Sequence, residues 1–239
     1  MNANRQKERT MQITTPNLIR WGGLSAMVTG IIFAGIQPIH PPDVLASVTT
    51  SAWAIITTLK TVMCLFGLFG IAGLYARQVE ETGWLGLASY LLLTIFYAVQ
   101  MCLAFIEPLI LPLLATEAPK FVAGFLGILS NTPSEVNLGA IAAVNNLLAG
   151  LYLLGTLLFG IAIFRARILS RWAAGLLAAS GPLAVILTLI GHPINRIAAV
   201  PMGIALIGLG YSLWSERRAP ASEIAYGKGS PQLRSTEAK

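Results

Sequence analysis

Aspartate occurs once in the 239 residues, at Asp43, and histidine only twice, at His40 and His192. Charged residues make up 11% of the chain, against about 25% in an ordinary soluble domain. The single aspartate leaves little for two-aspartate or magnesium-dependent chemistry. There is no CxxC, HExxH, GxGxxG, P-loop or GxSxG pattern, so no sequence motif announces a metal, a dinucleotide, a nucleoside triphosphate or a serine nucleophile. The two cysteines, Cys64 and Cys102, lie in apolar runs without metal spacing and read as small buried side chains. No metal or other cofactor is expected.

What the chain has instead is apolar length. Hydrophobic residues are 55% of it, and the mean hydropathy is +0.71. This excludes a disordered chain, a fibre and an ordinary cytosolic globule. A bilayer core of about 30 Å takes about 20 apolar residues as helix, and backbone polar groups in lipid must be satisfied within the span. Six such stretches are present, at Leu18–Ile36, Ala52–Tyr75, Trp84–Ile106, Leu138–Phe164, Trp172–Ile190 and Ile197–Trp214. The expected fold is therefore an all-α, polytopic bundle of six transmembrane helices over residues 18–218. Residues 1–17 form an N-terminal tail and 219–239 a disordered one. The long connection 107–137 carries two awkward pieces, an apolar run broken by Pro108 and Pro112 and the ten residues 121–130. Both are too short to cross and read as an interfacial or re-entrant segment.

Charge orients the bundle. With the N-terminus inside, 13 of the 16 Lys and Arg fall in inner segments, Lys120 and Arg196 fall outside, and Lys60 lies within a span. The positive-inside rule then places both termini in the cytoplasm. Trp21, Trp84, Trp172 and Trp214 fall at inner helix ends, as an aromatic belt would. The net charge of +6 thus reports topology and the neighbourhood of membrane lipids, not nucleic acid.

Two weaker patterns accompany the spans. Arg20-Trp21 is followed by His40-Pro41, and Arg171-Trp172 by His192-Pro193, which reads as a faint parallel repeat of the first and fifth spans. Small residues at Ala26 and Gly30, at Gly150, Gly155 and Gly160, and at Gly203 and Gly208 read as close packing between helices. A homo-oligomer seam is the weaker alternative.

An ionisable residue inside a span is costly and is a functional hypothesis by default. Lys60 is that residue. Thr57, Cys64 and Gly67 share its helical face. Asn145 and Asn146 enter the fourth span at similar depth, with Tyr152 on the face of Asn145. Tyr97, Gln100 and Glu107 share a face of the third span, and His40, Asp43, His192 and Arg196 rim the same side. The expected site is a polar pocket in the outer half of the membrane: Lys60, Glu107, Asn145, Asn146, Gln100, Tyr152, His40, Asp43, His192 and Arg196. It would bind, sense or transport a small solute or a lipid headgroup. Competing with it is a brace in which Lys60 pairs with Glu107. The alternatives from other classes are a membrane enzyme acting on outer-leaflet lipid through His40, His192 and Glu107, and an accessory scaffold working through partner helices.

The stretch RWGG…HPPD near the N-terminus and LGYSLWSERR at the end of the last span resemble those of small, uncharacterised bacterial integral-membrane proteins. That resemblance covers about residues 18–218 and implies a bacterial inner-membrane location. It carries no catalytic residue, since such proteins have no agreed activity.

Overall fold

The computed structural model describes residues 14–130, 132, 134–190 and 194–216. Among these the chain is all-helical, and six helices are long and apolar enough to cross a membrane. They are α1 (Thr15–Gly35), α2 (Ser51–Ala76), α3 (Val79–Leu109), α6 (Ile141–Ala166), α7 (Arg171–Ile190) and α8 (Ala199–Ser215). Two short helices, α4 (Leu111–Glu117) and α5 (Pro119–Ser130), occupy the connection between α3 and α6. The ten-residue run 121–130 is thus helical within α5, and α5 is too short to span. A kink accounts for the early start of α3: Gly83 sits at φ 53°, ψ −145°, so the turn from Val79 is set off from the rest and the apolar rod begins beside Trp84.

The spans form a closed ring in chain order. Each of α1, α2, α3, α6, α7 and α8 packs on the next, and α8 returns to pack on α1. Six crossings bring both ends of the described chain to one end of the bundle. There Arg20 Nε donates to the Trp214 carbonyl at 3.2 Å, and the Trp21 and Trp214 rings meet edge to face at 5.9 Å. Arg77 and Glu216 pair at 2.6 Å on the same side.

Glycine lets the ring close. Gly22 of α1 lies backbone to backbone against Gly73 of α2, and Gly70 against Ala26. On the opposite flank of α1, Gly23 faces Gly210 and Gly30 faces Gly203 of α8. Helices in lipid gain little from apolar burial alone, so close van der Waals approach carries much of their association. Gly160 meets Ala174 and Ala178 of α7, and Gly155 meets Leu93 of α3, but Gly150 faces open space.

The terminus-side core is mostly apolar, with Gln78, Thr82 and Ser89 buried toward the same end. Ile71, Leu74, Phe159, Ile163, Leu177, Leu209 and Leu213 are all buried there, within one continuous cluster reaching up to Tyr97 and Phe96. A second, smaller cluster of Val48, Trp53, Leu111, Val122, Phe125 and Leu126 lies at the other end. It fixes α4 and α5 as a cap on the start of α2.

One connection carries strain. Arg167 closes α6 with φ 59°, ψ 20°, a left-handed conformation that usually falls to glycine at helix ends. Arg167→Gly is expected to raise stability by about 1 kcal/mol, the side-chain penalty of that conformation. A denaturation midpoint checks this.

Candidate binding cavity

Thr50 starts the site. Its hydroxyl accepts from the Trp53 amide at 3.2 Å and caps α2, a common use of threonine before a first helical turn. That sets the phase of α2, so that Trp53 and Lys60 both face α3. The end of α3 at Leu109 leaves the Glu107 carbonyl without a helical partner, as at any helix C-terminus, and the Trp53 indole Nε1 donates to it at 3.0 Å. The Glu107 carboxylate accepts from Lys60 Nζ on both oxygens, at 2.6 and 2.5 Å. Its side chain is 1% exposed and that of Lys60 16%. The glutamate is sealed, whereas the lysine keeps an open flank.

That flank faces a cavity of about 270 Å³ lined by Gln37, His40, Asp43, Lys60, Gln100 and Arg196, with Phe33, Ile36, Met63 and Phe96 as its apolar walls. A second ion pair closes its rim. Arg196 donates to Asp43 Oδ2 at 2.6 Å and to the His40 carbonyl at 3.1 Å. Both partners are largely buried, at 17% and 10% exposure. The two pairs together carry no net charge.

His40 sits between them. Its Nδ1 is 2.7 Å from the Pro41 carbonyl. A carbonyl only accepts, so Nδ1 carries the proton and Nε2 of the neutral ring is an acceptor. The ring also meets Trp53 edge to face at 5.9 Å. Burial, and then the charge of Lys60, hold the imidazole below its ordinary value of 6.5. Arg196 acts in the same direction, while the Pro41 carbonyl and Asp43 oppose. A base depressed in the folded state binds fewer protons there than when unfolded, so its contribution is present above about pH 6.5 and is lost on acidification. The melting temperature should therefore fall between pH 7 and pH 5, and His40→Asn should flatten that slope. An unchanged slope in the variant would assign the pH dependence to other groups.

The residues expected at the site divide. Lys60, Gln100, His40, Asp43 and Arg196 line one cavity, and Glu107 anchors Lys60 from behind. Asn145 and Tyr152 line a neighbouring cavity of about 250 Å³ between α3, α6 and α7, which shares Phe96 and Gln100 with the first. Asn146 is exposed on the outer surface of α6 and lines neither. His192 lies outside the described residues. No group of three or more His, Cys, Asp or Glu able to hold a metal ion occurs among the described residues. Of the residues named for the enzyme alternative, His40 lines the cavity, both oxygens of Glu107 are engaged by Lys60, and His192 lies outside the described residues. Sequence reasoning missed Trp53 and Gln37. Trp53 carried a signal, being the one tryptophan of five that falls outside the inner belt.

Set against known protein families, curated proteins and solved structures, the chain matches no family model, no curated protein and no solved structure.

Proposed function

We propose that this is a multi-pass protein of the bacterial cytoplasmic membrane, with both termini cytoplasmic, that binds a small solute or a lipid headgroup in the cavity beside Lys60. One observation carries the reading: six polar side chains from α2, α3 and the segments next to α1 and α8 surround one space at an end of the bundle. Orientation rests on the distribution of Lys and Arg in the sequence, as the positive-inside rule uses it. The mostly apolar half between this cavity and the termini favours binding or sensing over a through-pore.

Gln100 provides the test. It lines both cavities and holds no partner among the described residues, so Gln100→Leu should leave the unliganded fold intact. Purified wild type is screened by thermal shift against small zwitterions, polyols, amines and soluble headgroups. The reading expects one chemical class to stabilise wild type and to lose at least tenfold in apparent affinity in Gln100→Leu. No stabilisation by any class would leave Lys60 and Glu107 as a brace and remove the binding role.

A further inference from the structure

The polar cavity adjoins a larger groove. Gln37, His40 and Arg196 line both spaces, and beyond them Ala34, Pro38, Ile197 and Val200 wall a groove of about 550 Å³ between the end of α1 and the start of α8. The lining changes across His40 and Arg196: Asp43, Lys60 and Gln100 occur only on the cavity side, and the residues found only on the groove side are all apolar. The groove opens at the surface of the bundle, where Ile197 is 59% exposed. Resting on the binding role proposed above, we infer that the occupant is a single-chain amphiphile with a neutral or zwitterionic head, its head beside Lys60 and its chain in the groove between α1 and α8.

The head chemistry follows from what the cavity leaves unused. Lys60 and Arg196 are each already matched by a carboxylate, Glu107 and Asp43, so a head of net negative charge finds no uncompensated cation. Hydrogen-bonding capacity does remain, of both kinds. The Gln100 amide has no partner among the described residues. His40 Nε2 is an acceptor in the tautomer set by Pro41. Gln37 gives its Nε2 to the Phe33 carbonyl, which leaves its side-chain oxygen as an acceptor. Arg196 directs NH1 and NH2 to the His40 and Pro41 carbonyls and to Asp43, which leaves its Nε–H. Donors and acceptors interleaved around zero net charge suit a head that carries both signs or several hydroxyls. An aliphatic groove joined to such a cavity takes a chain, because apolar walls give a free polar solute nothing to bond.

Native mass spectrometry of the delipidated full-length protein tests this with three probes: lysophosphatidylcholine, lysophosphatidylglycerol and glycerophosphocholine. The expected result is one lysophosphatidylcholine retained per chain, with at least tenfold weaker retention of the anionic lysolipid and of the chainless head. Val200→Trp fills the groove and Ile197→Asn makes its wall polar. Ile197 is exposed, so its variant tests the groove even if Val200→Trp fails to fold. Each folded variant should lose the lysolipid at least tenfold. Glycerophosphocholine retained as well as lysophosphatidylcholine would overturn the amphiphile while leaving a solute cavity. Preference for the anionic lysolipid would overturn the head assignment, and wild-type retention by folded groove variants would overturn the chain site. Retention of no probe would overturn this inference, while the Gln100 screen separately decides the binding role.

Discussion

Lys60→Met alone should destabilise the protein by about 3 kcal/mol, the lower end of the cost of removing one partner from a buried ion pair. It strands a carboxylate that is 1% exposed and whose only side-chain donor among the described residues is the lysine ammonium. The lower end applies because Lys60 itself keeps 16% exposure. Glu107→Leu should cost less, since the ammonium it frees can turn into the cavity and be hydrated. The double variant Lys60→Met with Glu107→Leu is the informative one. Replacing a whole buried pair by apolar residues is often neutral, or stabilising by about 1–4 kcal/mol, so the double variant should match or exceed wild type. Melting temperatures of the four proteins close the cycle. A double variant as unstable as Lys60→Met would make the pair a brace that the bundle needs. A stable double variant that no longer binds any ligand would show the pair held for the cavity at no benefit to the fold.

The second large effect lies far from the cavity. Gly30→Val should cost more than about 3 kcal/mol or prevent folding, beyond the usual range for overpacking. A Cβ at Gly30 falls on the Gly203 carbonyl oxygen and beside the backbone nitrogen of Ile207. Both obstacles are backbone, so no rotamer change relieves the clash, and α1 cannot retreat because its other flank rests on α2 through Gly22 and Gly73. Gly150→Ala is the matched contrast. Nothing lies within 4 Å of its Cβ position, so it should be neutral, or stabilising by about 0.5–1 kcal/mol as the helix loses a flexible residue. Thermal denaturation of both variants in one detergent separates them. Comparable losses would mean that the α1–α8 seam is looser than its backbone spacing implies.

The parts of this fold that were legible in the sequence are those a single helix decides. Each span declares itself by apolar length, and Lys60 inside a span with Glu107 at the outer end of the next made a pair that the sequence itself suggested. Helical phase, where it was neglected, misled. Asn145 and Asn146 are adjacent, so they point about 100° apart, and only Asn145 turns toward a cavity. The glycines at 150, 155 and 160 recur every five residues, which is not a helical repeat. They point in different directions, two onto neighbouring helices and one into open space. Pairings across the ring had no local signal at all. Arg196 reaches Asp43 across 153 residues of chain, and Trp53 reaches the Glu107 carbonyl across 54. Trp53 was missed because its partner is a backbone carbonyl, which no side-chain pattern reveals.

The pairing of α1 with α8 has a bearing on biosynthesis. The glycine face of the first span is complete only when the last one arrives, so the N-terminal helix must wait in the membrane while five more are made. Its α2 flank can dock early, over a short connection, but its α8 flank is closed by contacts across nearly the whole described chain, and such contacts form late. A chain halted before Ala199 would leave Gly23 and Gly30 bare to lipid, a half-built seam of the kind that quality-control proteases and a second nascent copy can both engage. Assembly is thus gated by the final helix, and the groove between α1 and α8 does not exist until that helix is in place.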